Sequence, residues 1–131
     1  ESLLGAHAAG GALWSYDRDS AFGLLDQGGA PKPDLMQAVA RPYARVVGGN
    51  PVATSYDFAA RTLSLHFRNR GGVEPWSVVY VGDHYAGGLR VTARDADGAR
   101  VARDAAAGEI KVRVDPDIQE HVITLSPRSA P

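Results

Sequence analysis

The cluster Gly48-Gly49-Asn50-Pro51 separates two stretches written to different periods, and that change of period limits the possible folds more than any other feature. Beyond the cluster, apolar and polar residues alternate. Val52–Phe58, Thr62–Phe67, Ser77–Val81, Leu89–Ala93, Arg100–Asp104, Ile110–Val114 and His121–Leu125 all suit strands with one buried side. Leu63, Leu65 and Phe67 fall on one side of such a strand, and Thr62, Ser64, His66 and Arg68 on the other. Val112 and Val114 alternate with Lys111 and Arg113, whereas the alternation around Val122 and Ile123 is less clean. Asp97-Gly98 signals a two-residue hairpin. About seven short strands at this spacing predict an antiparallel β-sandwich of immunoglobulin-like type, over residues 49–131.

Residues 1–48 carry helical and α/β signals instead. Ser2–Ala9 reads as a helix end stopped by Gly10-Gly11, and Gly11–Ser15 as a short buried strand. A polar loop, a Gly-rich turn and a Pro-rich approach follow. Leu35, Ala38 and Val39 then recur at helical spacing, and Pro42 predicts the end of that helix near Ala40–Arg41. One strand and two short helices have no sheet to join, and such helices are marginal alone in water. The expectation is a partner for them, either a preceding barrel or another chain. Glu1 is not an initiator Met, as expected of a processed or cleaved chain.

Composition excludes several classes. The 131 residues carry a formal net charge of -1, with Lys and Arg scattered. That removes generic attraction to nucleic acid or to an anionic membrane. There is no Cys, hence no disulfide framework and no Cys-based zinc site. No signal peptide is visible, and no run approaches the ~20 apolar residues that span a bilayer. GxSxG, Walker and GxGxxG motifs are also missing.

Four words of sequence carry a resemblance: GALWSYD, FGLLD, PKPDLMQAVARPYARVVGGNPV and VVYVGDHYAGGLRV. The first three resemble the end of the catalytic barrel in glycoside hydrolase family five, and the last its attached C-terminal sandwich. The endoglycoceramidases, which release glycans from glycosphingolipids, are the closer match. The resemblance implies an α/β plus all-β chain: the last βα unit of a (β/α)8 TIM barrel over residues 1–48, then the sandwich over 49–131. It implies a retaining, secreted hydrolase without a cofactor, whose two catalytic glutamates stand ~5–5.5 Å apart. Both precede the last barrel strand in the family. Glu1 lies too close to Trp14, in what reads as the preceding helix, and the next Glu is Glu74. The expectation is therefore no catalytic residue in this chain, inactivity when isolated, and two partners: the N-terminal barrel portion and a glycosphingolipid or other glycan.

For substrate binding, the resemblance points to Trp14, a flat aromatic at the C-terminal end of a barrel strand, where it can stack on a sugar. The bland alternative is a core Trp. Ser15, Tyr16 and Phe22 are candidates for the cleft rim, with loop packing as their alternative. Asp17 and Asp19 read as turn residues. Asp17-Arg18-Asp19 and Asp95-Ala96-Asp97-Gly98 are similar to the start of a calcium loop, but lack its sixth-position Gly and its acidic twelfth residue. His7, His66, His84 and His121 show no ligand spacing, so no metal site is expected. Trp76, Tyr80 and Tyr85 form either a carbohydrate-binding strip or core and domain interface, and Trp76 and Tyr80 share one face of a strand, as compatible with packing on the barrel as with binding. Other functional classes remain open: a non-catalytic carbohydrate-binding or adhesion module, a purely structural sandwich, or a family-five glucanase.

Overall fold

The computed structural model describes residues 17, 18, 21, 23–93, 100–104 and 107–128. Helix α1 (Pro33–Val39) begins with Pro in its first turn, where the missing N–H costs no hydrogen bond, and carries Asp34 near its positive end. Its last bond runs from the Ala40 N–H to the Met36 carbonyl. Pro42 disfavours helical geometry at Arg41, so the chain extends there.

Eight strands follow among the described residues: β1 (Tyr43–Val46), β2 (Asn50–Asp57), β3 (Thr62–Arg68), β4 (Trp76–Tyr80), β5 (Leu89–Ala93), β6 (Arg100–Asp104), β7 (Glu109–Arg113) and β8 (Glu120–Pro127). They form two antiparallel four-stranded sheets, ordered β1-β4-β7-β6 and β2-β3-β8-β5. The seven alternating segments each form a strand, displaced at their ends by at most two residues. Leu63, Leu65 and Phe67 of β3, Ile123 and Leu125 of β8, Val79 of β4, and Ile110 and Val112 of β7 are buried in one continuous core between the sheets.

Three expectations are corrected. The sandwich does not start at residue 49: Tyr43–Val46 pairs with β4 and is the edge strand of the first sheet. Nor do β5 and β6, the strands on either side of Asp97-Gly98, pair with each other as the expected hairpin requires. Residues 94–99 lie outside the described residues, but the strands flanking them pair apart, β5 with β8 and β6 with β7. Nor is the strand order that of an immunoglobulin, whose first, second, fifth and fourth strands share a sheet. Here the first strand neighbours the fourth, and the second and third join the eighth and fifth.

The breaker cluster is also more than punctuation, because Gly48 and Gly49 carry the crossing from the first sheet to the second. A Cβ on Gly48 would sit 2.8 Å from the backbone of Trp76, and one on Gly49 would sit 2.2 Å from the Arg68 carbonyl oxygen. Only glycine permits so close an approach of backbone to backbone. The Gly48 N–H donates to the Ser77 hydroxyl at 3.1 Å, which accounts for a fully buried Ser in β4.

Candidate functional site

The four residues expected to line a sugar cleft, Trp14, Ser15, Tyr16 and Phe22, lie outside the described residues, as do Glu1, His7 and Asp19. The segment after them is described and closes on itself. The Leu25 N–H donates to the Asp17 carbonyl at 3.3 Å, and the Lys32 N–H to the Leu24 carbonyl at 2.8 Å. Leu25 bridges both Arg18 and Pro31, so the chain doubles back around it. The turn is made by Asp26. Its carboxylate accepts from the Ala30 N–H at 2.8 Å, its own N–H donates to the Ala30 carbonyl, and its carbonyl accepts from the Gly29 N–H. Gly29 has φ 85°, a conformation open to glycine at little cost. Asp-x-Gly-Gly is thus a local lock that brings the chain from the Trp14 region to the start of α1.

On the sandwich, the three aromatics do not form one strip. Trp76 and Tyr80 do share the outer face of β4, partly buried, and Tyr43 of β1 joins them with its ring centroid 5.4 Å from that of Tyr80. Tyr85 does not: it is 1% exposed, in the β4–β5 loop, and belongs to the core. Its hydroxyl donates to the Arg61 carbonyl at 3.0 Å and lies 3.3 Å from that of Leu125. Burial pushes its phenol up to about 12. The strip fails because Tyr85 follows a turn at Gly82, φ 48°, and strand alternation stops there.

The described histidines are ordinary in role. His66 stands on the polar face of β3, 2.8 Å from the Glu120 carboxylate. His121 is fully buried and sits 3.0 Å from the Asn69 side-chain carbonyl oxygen. Burial, assisted by the Arg61 charge, holds His84 below the usual imidazole range. Among the described residues, no three His, Asp or Glu side chains group closely enough to hold a metal ion.

Sequence reasoning missed a polar contact on the outer face of the first sheet. Arg45 of β1 is ion-paired with Glu109 of β7, across β4. Hydrogen bonding to Glu109 raises the guanidinium above its already high value. The signal available was the polar–apolar order of Tyr43-Ala44-Arg45-Val46, concealed by reading Pro42 only as a helix stop.

The comparisons with known proteins match this architecture. The glycoside hydrolase family 5 C-terminal domain profile matches residues 41–126, starting just before β1. Endo-glycoceramidase II from Rhodococcus sp., in complex with a cellobiose-like isofagomine, superimposes with a TM-score of 0.76 at 23% identity, over 96% of this chain and 27% of that one. Its ganglioside GM3 complex gives the same score and identity, over 96% and 26%. Sterylglucosidase 1 from Cryptococcus neoformans is more distant, with a TM-score of 0.54 at 14% identity, over 72% and 14%. No curated protein sequence matches the chain. The chain thus spans about a quarter of the endo-glycoceramidase structures it resembles. With the profile reaching every strand of both sheets, the chain belongs to the glycoside hydrolase family 5 C-terminal domain family.

Proposed function

We propose that this chain is the C-terminal part of a secreted, retaining glycoside hydrolase that cleaves the bond between a glycan and ceramide. The observation that carries the reading is the family 5 profile over residues 41–126. The likeness in fold to endo-glycoceramidase II supports the choice of subfamily. The residues before β1 then supply the last βα unit of a (β/α)8 barrel, with α1 as its helix. The catalytic glutamates belong to upstream sequence. One protonates the leaving oxygen, the other forms a glycosyl-enzyme intermediate, and water releases the sugar. Trp14 stacks on the sugar next to the scissile bond, and Ser15, Tyr16 and Phe22 form the rim. Their contribution is positioning, because this reading assigns both catalytic carboxylates to upstream sequence.

The test is hydrolysis of a glycosphingolipid by the full-length protein. Release of intact glycan supports the reading. Cleavage of β-glucans without action on glycosphingolipids replaces it with the glucanase alternative. Trp14→Ala is expected to lower turnover about 10²-fold, with thermal stability nearly unchanged. Strong destabilisation with a normal rate per folded molecule assigns Trp14 to a core instead.

A further inference from the structure

We propose that the outer face of β1 and β4 is the surface on which the upstream domain of the complete protein packs; the proposal rests on the family 5 reading. The two outer faces of the sandwich differ in chemistry. In an antiparallel sandwich an outer face is normally solvated and polar. The β2-β3-β8-β5 sheet obeys, with Ser55, Ser64, Thr124 and Thr92 standing in a single row across all four strands. The β1–β4 face instead presents Tyr43, Val46, Trp76, Val78 and Tyr80. Tyr43 is 48% exposed and Val46 52% exposed. The nearest carboxylate on that side, Glu109, is 8% exposed and already paired with Arg45. The patch therefore shows a partner rings and methyl groups, with its acid neutralised and with Lys111 and Arg113 of β7, the partners of Val78 and Trp76, as its charged border.

Chain geometry selects the occupant. Only Ala40, Arg41 and Pro42 separate the end of α1 from Tyr43. Four extended steps reach at most roughly 14 Å. Whatever precedes α1 is tethered beside β1, the edge of the apolar-faced sheet. The hydroxyl face lies on the far side of a second sheet, roughly 10 Å further on. The relatives keep most of their length outside the matched part, so the full-length protein has a domain to place there.

The experiment uses the full-length protein and a matched pair of substitutions. Val46 and Ser55 are both exposed, both on edge strands, and on opposite outer faces. If each faces water in the complete protein, Val46→Asp and Ser55→Asp both shift Tm by little. The proposal expects Val46→Asp to lower Tm by about 4 °C or more, because it buries an unpaired carboxylate, and Ser55→Asp to leave Tm nearly unchanged. Equal small shifts overturn it. Should Val46→Asp fail to fold, tetranitromethane labelling of the unmodified protein decides. Tyr43 is expected to react about tenfold more slowly in the native than in the urea-unfolded protein, because a packed interface excludes water and reagent. A ratio near two, as for a half-exposed ring, overturns the proposal. Protection that vanishes on dilution, together with a dimer mass, assigns the face to a second copy and also overturns it. Glycosphingolipid hydrolysis, measured in parallel, reports on the family reading, so either can fail alone.

Discussion

The two ends of the sandwich are closed by different devices. At the end where the chain enters, Tyr85 drops from the β4–β5 loop into the core and its hydroxyl reaches the backbone of the β2–β3 turn. The loop is tied further by the Val81 and Gly82 N–H groups, both donating to the Gly108 carbonyl. At the other end, Asn69 just beyond β3 holds the β7–β8 loop. Its amide donates to the carbonyls of Pro116 and Ile118, and its carbonyl oxygen meets the buried His121 ring. That ring lies 5.1 Å from Phe67. One closure is a large apolar body with a polar tip. The other is a relay of two polar side chains, in which each bond depends on the next. The first resists loss of a hydrogen bond, and the second does not.

The largest effect expected from this difference is Tyr85→Ala. It empties a fully buried aromatic site, at about 3–5 kcal/mol. Urea unfolding measures it, and a smaller loss than for Asn69→Ala breaks the comparison. Asn69→Ala is expected to cost about 1–3 kcal/mol, because it removes the partner of a buried imidazole and two carbonyl contacts together. Hydrogen exchange at the backbone N–H of position 69, which donates to the Gln119 carbonyl at 3.0 Å, should accelerate in the same variant.

Tyr85→Phe sharpens the point, since it keeps the body and removes only the tip. About 1 kcal/mol is expected at neutral pH. The alkaline limb gives a second readout. The native phenol titrates near 12 rather than at 10, so its stabilising contribution is complete below pH 10 and is lost as pH rises towards 12. Tyr85→Phe should remove that part of the pH dependence, and an unchanged alkaline limb counts against the hydroxyl's role.

Strand alternation makes most of this sandwich legible in the sequence. Leu63, Leu65 and Phe67 face the core because period-two patterning has one physical solution when one face is buried. What stays hidden is whatever depends on the third dimension. β1 is four residues long and follows a proline, so a helix stop and a strand start read alike. Asp97-Gly98 favours a turn but cannot say whether its flanking strands share a sheet, and here they do not. Tyr85 reads equally as part of a strip with Trp76 and Tyr80 or as core, and the Gly82 turn, which sends it into the core, is what decides between them. His121 is buried although polar, since Asn69, 52 residues away, supplies its partner oxygen. The candidate sugar-binding residues are legible only through the words around Trp14, and they lie outside the described residues.

The smallest effect concerns the residue next to His121, which faces the other way. Glu120 points outward from β8, 45% exposed, with His66 at 2.8 Å and the Arg68 guanidinium at 3.4 Å. The His66 hydrogen bond first, and the Arg68 charge after it, hold its carboxyl below the usual carboxylate range. A depressed native value means that its contribution is present above the ordinary 4.5 and is lost as pH falls below it. Glu120→Gln is therefore expected to leave Tm within about 1 °C at neutral pH, because water screens an exposed cluster of this kind. Below pH 4.5 the variant should lose Tm less steeply than the parent protein, since the carboxylate that would be protonated is already gone. If Glu120→Gln instead costs as much at neutral pH as Asn69→Ala, burial is not what gives the Asn69–His121 relay its weight. Two adjacent residues on one strand, one facing solvent and one facing the core, make that the most controlled test of the distinction.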